Sequence, residues 1–559
     1  MNYVDLIVLF GTLAFIVFYG VWKTRGQKNL ESYLKGDNTM KWGTIGLSVM
    51  ATQASAITFI STPGQAYDSG MGFVQNYFGL PIALFIVSAV FIPIYYRLKV
   101  FTAYEYLETR FDAKTRSLGA TLFLIQRGLA AGITIYAPAI ILASILSWDL
   151  NVTIVVTGTL VIIYTVSGGT KAVSITQKQQ MAVIMGGMFL AFFILLYRLS
   201  EHVSFFEAFQ IAKVLNKTQA IDFDLSFEKR YTFWSGITGG LFLALSYFGT
   251  DQSQVQRYLG GEDVRASRLG LMFNAIFKIP MQFFILFVGV MVYVFYIFFA
   301  PPIHFKEKSL ELLKSNGKRE NLEQLQVAYD GVIENRKLSA LEFVRTGEDG
   351  ALVQYDQEAE SLEKEVRDLI VSVDSDIATK DSDYVFLTFI LTYLPHGIIG
   401  LLIAVILSAA MSSTSSEVNA LASTTMVDFY KRHIRSSGSD RHDLLASKGL
   451  TLVWGIIAIL FALLAQSSEN LIEAVNIVGS IFYGTILGIF LVAFFFHQVK
   501  GTAVFYGALL AEGVVLACHF LTVAEVIELG YLWYNAIGCF LTILFGALIQ
   551  SIQKSPQSE

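Results

Sequence analysis

The feature that most constrains this chain is the absence of charge from long stretches of it. Residues 72–96 and 151–167, for example, hold no Asp, Glu, Lys or Arg. Apolar runs of roughly 17–25 residues, wound as helices, match the thickness of a bilayer. In lipid every backbone N–H and C=O must be satisfied within the protein, so only helices and closed barrels can span. These runs are continuous and do not alternate, which selects helices. Of 559 residues 54% are hydrophobic and only 15% charged, against roughly 25% charged in a soluble domain. The expected fold class is an all-α membrane protein with about 13 transmembrane helices. They are placed near 4–22, 42–62, 72–96, 117–143, 151–167, 180–198, 233–251, 269–299, 386–427, 447–467, 471–496, 501–523 and 530–552.

The 386–427 stretch is too long for one straight span, and Pro395 and Gly397 mark a break at its start. The first apolar run lacks a basic leader and a small-residue cleavage site, so it reads as a span and not as a signal peptide. Lys and Arg in short loops collect on the cytoplasmic side. One side carries Lys23, Arg25, Lys28, Lys35 and Lys41, then Arg97 to Arg116, Lys171, Lys178, Arg257 to Arg268, and Lys431 to Lys448. The opposite loops near 63–71, 144–150, 468–470 and 524–529 carry none. The expected placement is multi-pass in the plasma (inner) membrane, N-terminus outside and C-terminus cytoplasmic. A net charge of −5 is close to neutral and is uninformative about nucleic acid, which is not expected as a partner, and the lone pair Cys518 and Cys539 points to no disulfide or metal site.

Residues 301–385 break the rhythm. They are charged, with Leu at three- and four-residue spacing, which predicts two amphipathic helices in an extracytoplasmic insertion. Such a piece is either a decoration that touches no solute or a partner-binding module.

Polar groups inside spans are costly and therefore informative. "SVMATQASAITFISTPG", residues 48–64, carries Ser48, Thr52, Gln53, Ser55, Thr58, Ser61 and Thr62 inside a span. That density fits a broken helix with ion-binding half-helix ends, or small-residue helix packing. "LSAAMSSTSSEVNALAST", residues 407–424, crowds Ser412, Ser413, Ser415 and Ser416 into one turn. Their oxygens suit an alkali cation, or bond back to their own helix. Lys278 lies too deep to snorkel easily, with Glu473 as a candidate partner. Arg127 could fork a carboxylate or serve as a structural arginine.

These residues carry a resemblance. "ATQASAITFISTPGQAYDSG", "YTVSGGTKAVSITQKQQ", "GTDQSQVQRYL" and "AVILSAAMSSTSSEVNALASTTMVDFY" resemble the solute:sodium symporter family. The likeness covers nearly the whole chain outside 301–385. "YRLKVFTAYEYLETRF" and "TIYAPAIIL" lean toward the iodide, multivitamin and monocarboxylate branch, and "FKIP" toward the sugar branch. The resemblance implies a LeuT-like 5+5 inverted repeat. Residues 1–41 would be an N-terminal extra helix and cytoplasmic loop, 42–198 the first repeat and 199–232 an extracytoplasmic loop. Residues 233–496 would form the second repeat, interrupted by 301–385, and 497–559 two C-terminal helices with a short tail.

Carried over residue by residue, the resemblance implies a sodium site from the carbonyls of Ala51, Ala54 and Ala409 and the hydroxyls of Ser412 and Ser413. Thr58, Gln75, Asn76, Arg127, Lys278 and Glu473 would contact solute, and Tyr247 would form the inner gate. Ala244 replaces a sugar-contacting asparagine, which argues against a close hexose transporter. The family usually has an aspartate where Gln177 follows Thr176, so a second sodium site with Ser415 and Ser416 would be vestigial.

The expected function is sodium-coupled secondary active symport of a small organic solute by alternating access. The solute would be a carboxylate, sugar, sugar acid or vitamin-like molecule. Na+ is the transported coupling ion, the lipid bilayer is the surround, and no obligate protein partner is evident. The alternatives are a proton-coupled carrier on the same scaffold and a solute-sensing receptor, though no kinase or receiver domain follows the last span. An enzyme is not expected, because no nucleophile–base pair, metal set or phosphate loop appears.

Overall fold

The computed structural model describes residues 2–23, 39–146, 148–374, 379–435, 439–464 and 470–554. Arg25, Lys28, Lys35 and most of the 468–470 loop lie outside the described residues, as do the side chains of Lys23, Lys171, Thr176 and Lys178. The described residues are mostly helical, and among them the single β-type pairing is an isolated bridge between Met40 and Gly261.

The main elements are α1 (Tyr3–Lys23), α2 (Trp42–Gln53), α3 (Ala56–Ser69), α4 (Ala113–Leu146), α5 (Leu150–Leu199), α6 (Gly239–Gly249), α7 (Gln252–Leu259), α8 (Val264–Phe298), α9 (Ile398–Thr424), α10 (Asp440–Leu464), α11 (Leu471–Phe495), α12 (Gly501–Val523) and α13 (Leu532–Lys554). A 3-10 segment, Gly70–Tyr77, leads from α3 into Leu80–Ile86, a π-turn at Val87–Phe91 and Ile92–Leu98. Nine stretches of the described residues are long and apolar enough to cross a membrane, with shorter apolar helices at Tyr3–Ile16 and Leu150–Val166.

The break expected within 42–62 is present between α2 and α3. The break expected at Pro395 and Gly397 is also present: Ser382–Tyr393 stops there and α9 starts after Gly397, whose φ is +87°. One boundary differs. Spans at 151–167 and 180–198 are joined in one 50-residue helix, α5. A straight helix of that length would reach about 75 Å, more than twice a hydrocarbon layer of about 30 Å. Its two apolar stretches, Leu150–Val166 and Gln180–Leu199, lie at either end of the helix, and backbone hydrogen bonding continues through the glycine-containing connection between them.

The broken pair α2/α3 packs along α8, and α5 and α9 close over it. The α3–α8 approach is close because Gly289 faces Pro63: a Cβ there would lie 2.2 Å from the Pro63 carbonyl oxygen. Helices α11, α12 and α13 form a tight cluster of their own, and α1 lies on α5 and α9. At one end Arg116 pairs with Asp428 at 2.7 Å and Glu108 at 2.8 Å, while Arg432 reaches Glu108 at 2.6 Å.

The insertion holds three helices where the sequence suggested two: Glu307–Ser315, Arg319–Thr346 and Gly350–Val373. The extra turn of chain is needed because Leu313 must reach a separate small core with Leu322, Tyr329, Ile333, Val366 and Ile370. Arg336 anchors this unit to the main body, pairing with Asp356 at 3.3 Å and donating to the Tyr296 carbonyl at 3.3 Å.

Candidate functional site

The site is built where α2 stops. Ala54 leaves the helix at φ −90°, ψ 71°, its N–H still bonded to the Met50 carbonyl at 2.8 Å. Ser55 is extended and starts α3 without a side-chain cap. The last carbonyls of a helix lack intrahelical donors and carry partial negative charge. A helix broken inside a membrane thus offers oxygen to a cation.

Helix α9 sets its serines against this end. Ser413 Oγ lies 3.5 Å from the Ala51 carbonyl oxygen and 3.4 Å from that of Thr52. Firm O–H···O bonds are shorter, about 2.5–3.0 Å, so these contacts are long and the oxygens are not bonded tightly to each other. Ser412 Oγ is buried without a hydrogen-bond partner. Ala51, Ala54, Ala409, Ser412 and Ser413 are all buried. The donor set is carbonyls and hydroxyls, which suits a small hard monovalent ion and fits Na+.

Gln177 stands on α5 facing α2, not the serines. Its Oε1 accepts from Ser48 Oγ at 2.6 Å and its Nε2 donates to Thr52 Oγ1 at 3.1 Å. Ser416 Oγ bonds back to the Ser412 carbonyl at 2.9 Å, while Ser415 Oγ is unpartnered.

Beside the break is a cavity of about 120 Å³. Thr52, Gln53, Ser55 and Thr58 line one wall, Asn76 and Tyr77 another, Gly240, Ala244 and Tyr247 of α6 a third, and Ile472, Asn476 and Tyr483 of α11 a fourth. Arg127, Thr134 and Glu417 line it as well. Asn76 comes close to α6 because Gly240 has no Cβ; one would sit 2.6 Å from the Asn76 carbonyl oxygen.

Arg127 is 2% exposed, and its fork is occupied by the protein. Nη1 donates to Glu417 Oε1 at 3.0 Å, and Nη2 donates to Asp251 Oδ2 and to the Tyr483 hydroxyl. Tyr483 in turn donates to Asp251 Oδ2 at 2.8 Å, and Thr134 Oγ1 donates to Glu417 Oε2 at 2.7 Å. The guanidinium lies 5.4 Å from the Tyr247 ring centroid, and the Tyr247 hydroxyl accepts from Gln254.

Of the residues singled out for solute contact, Thr58, Asn76, Arg127 and the gate Tyr247 line the cavity. Gln75, Lys278 and Glu473 do not. Gln75 ties down a loop: it donates to the Gly72 and Tyr231 carbonyls and accepts from the Asp222 N–H at 2.8 Å. Glu473 does not pair with Lys278. It pairs with Arg230 at 2.8 Å and accepts from the Tyr231 hydroxyl at 3.1 Å. Lys278 is buried, with Nζ 5.5 Å from the Tyr77 ring centroid.

Sequence reasoning missed Glu417, Asp251 and Asn476 as site residues. Each left a signal. Glu417 is the sole carboxylate in the 407–424 motif, Asp251 sits in "GTDQ", and Asn476 is one turn beyond Glu473.

The model of the sodium:solute symporter family matches residues 33–314 and 371–511, well over half the chain, and skips most of the insertion. Sodium-coupled monocarboxylate transporter 2 from Homo sapiens is 26% identical over 519 residues, spanning 91% of this chain and 71% of the relative. The sodium/sialic acid symporter SiaT from Proteus mirabilis is 26% identical over 557 residues, spanning 98% and 95%. A solved Na+-coupled sialic acid symporter, in a substrate-bound outward-open state, superposes with a TM-score of 0.75 at 24% identity, covering 99% of this chain and 98% of its own. That likeness establishes the shared fold. With its family motifs, broken helix and multi-pass helical body, the chain belongs to the sodium:solute symporter family and is a sodium-coupled membrane transporter of a small solute.

Proposed function

We propose that one sodium ion per cycle binds between the end of α2 and the serines of α9, held by Ala51, Ala54 and Ala409 carbonyls with Ser412 and Ser413 hydroxyls. The observation that carries this is the unpartnered, buried Ser412 Oγ beside Ser413, whose Oγ lies 3.4–3.5 Å from two carbonyls of the broken helix. Sodium joins α2 to α9 and fixes the wall that Thr52, Gln53 and Ser55 give to the cavity. By linkage, sodium and solute then raise each other's affinity by the same factor. Tyr247 blocks the inner path until the helices rock between outward and inward forms.

Gln177 supports a single ion: where the family resemblance puts a carboxylate for a second site, this chain has an amide, and it is bonded to Ser48 and Thr52. The Lys and Arg distribution supports the N-terminus outside and the C-terminus cytoplasmic in the plasma membrane, with 301–385 on the outer side. The solute enters at the cavity beside Thr58 and Asn76.

The test is sodium-driven uptake into liposomes. Ser413→Ala is expected to weaken sodium activation about tenfold or more, the worth of roughly 1.4 kcal/mol, with the melting temperature in sodium-free detergent unchanged. Uptake with the wild-type sodium dependence would refute the assignment, and solute accumulation driven by a pH gradient without sodium would make the protein a proton-coupled carrier instead.

A further inference from the structure

One turn beyond the cavity lies a buried acid that the proposed ion and solute sites do not use. On α3, Thr58 lines the cavity, and Ser61 follows it about 4.5 Å further from the α2–α3 break. On α11, Ile472 lines the cavity, and Leu471 is the first helical residue. Asp383, just ahead of the 386–427 span, reaches both helices. Its Oδ2 accepts from the Leu471 N–H at 3.3 Å, and the Ser61 hydroxyl faces its carboxyl. The three elements are packed firmly here. Gly64 of α3 has no room for a Cβ against the Ser382 backbone. Asn470 caps α11 through Oδ1, and its Nδ2 donates to Ser382 Oγ at 3.2 Å. Asp383 thus stands where α3, the start of α11 and the helix Ser382–Tyr393 meet over the cavity.

Its surroundings do not suit a carboxylate. Asp383 is 6% exposed, and its Oδ1 has no hydrogen bond; Ser61 Oγ has none either. Among the described residues it makes no ion pair. The titratable groups that face it are Glu473 on α11, already paired with Arg230, and Tyr136 on α4. Its own segment adds Asp381, which holds His304, and Tyr384. From α3 it meets Ser61, and α8 touches the same helix further along, through Phe295 and Tyr296 at Phe389 and Tyr393. A buried carboxylate with like charges nearby and no cation is costly.

Resting on the reading of this cavity as the solute site, we infer that Asp383 is a proton-binding positioning residue in the cavity's roof. Protonated, it joins α3 to the start of α11 and keeps the roof shut. Ionised, it needs water, which reaches it as the roof opens.

The direction of the pH effect follows from burial. Burial foremost pushes the Asp383 carboxyl up to about 6, with the Glu473 and Asp381 charges adding, against the pull of the Ser61 hydroxyl and the Leu471 N–H. With the roof open and the carboxyl hydrated, the ordinary value near 3.8 applies. The shut form therefore binds the extra proton. Its advantage is full below the ordinary value and is lost as pH rises through about 6. The tyrosines stay neutral across this window.

The test reads how easily a thiol in the cavity is reached in the purified full-length protein. Ala244→Cys, on the cavity wall, is made in a Cys518→Ala, Cys539→Ala background, with Val327→Cys, at a 74% exposed position, as reference. Both are labelled with a small methanethiosulfonate, with and without sodium. Dividing the cavity rate by the reference rate removes the effect of pH on the thiol itself. The ratio is expected to be about threefold or more lower near about pH 5.5 than near about pH 7.5. Asp383→Asn is expected to hold the low ratio at both, and Asp383→Glu to keep the pH dependence. If Ala244→Cys does not fold, Thr58→Cys reads the same space. A ratio that is equal at both pH values or higher at the lower one would overturn the inference, as would a pH dependence that survives Asp383→Asn. A pH effect without a sodium effect supports the roof and counts against the sodium reading; a sodium effect without a pH effect overturns the roof and leaves that reading standing.

Discussion

At the scale of single residues, partners decide what a charged side chain does, and partners are the part a sequence hides. Glu363 of the insertion shows this outside the membrane. It accepts from the Tyr329 hydroxyl at 3.0 Å and has Arg367 4.0 Å away. Burial foremost, with the nearby Asp381 charge adding, pushes its carboxyl up to about 7, against the opposing pull of Arg336, Tyr329 and Arg367. A carboxyl with a raised folded-state value binds more protons folded than unfolded. Its contribution is then full below the ordinary value near 4.5 and is lost as pH rises through about 7. Asp381, held low chiefly by its hydrogen bond to His304 against the cost of burial, acts in a separate window below 3.8. The unfolding temperature is expected to be higher near about pH 5 than near about pH 8, and Glu363→Gln to reduce that difference. Wild type and variant with the same pH profile would contradict this.

Arg127 makes the same point inside the site. Its position in a span marks it as functional, and it does line the cavity. Its partners, Glu417 and Asp251, come from positions 290 and 124 residues away in sequence. No local pattern pairs them. Lys278 and Glu473 looked like a pair because both were buried charges of opposite sign; Arg230, in a loop, took Glu473 instead.

At the scale of elements, much more was legible. The polar density of residues 48–64 foretold the α2–α3 break, and Pro395 with Gly397 foretold the break before α9. Both follow from local chemistry: exposed carbonyls need polar neighbours, and proline and a positive φ stop a helix. The continuity of α5 was not legible, because charged and glycine-rich residues at 168–179 read as a loop and helical hydrogen bonding ran through them. Helix contacts also depend on single glycines. Gly289→Ala would drive a Cβ to 2.2 Å from the Pro63 carbonyl oxygen, forcing α8 off α3 at a cost of about 1–3 kcal/mol. Gly186→Ala, with nothing within 4 Å of its Cβ, is expected to be neutral or slightly stabilising. Thermal unfolding in detergent separates the two; equal midpoints would show that the α3–α8 contact tolerates a methyl group.

At the scale of the whole molecule, the fold sets the proposed ion site next to the cavity. The proposed ion would bridge α2 and α9, the cavity is lined by α2, α3, α6 and α11 among others, and the Arg127 cluster fastens α4 to α9, α11 and the start of α7. Binding at one place therefore alters the geometry of the other, which is the requirement for coupled transport. Membership of the family establishes sodium coupling; in the proposal, one ion is held by the Ala51–Ser413 constellation, with Gln177 in place of a second site's carboxylate. The most direct measurement is the sodium-to-solute ratio, from the membrane potential that just halts solute flux in proteoliposomes at known gradients. A ratio of one, with flux lost in the Ser412→Ala and Ser413→Ala double variant, is the predicted result. A ratio of two, or flux in that variant with its sodium dependence intact, would contradict it.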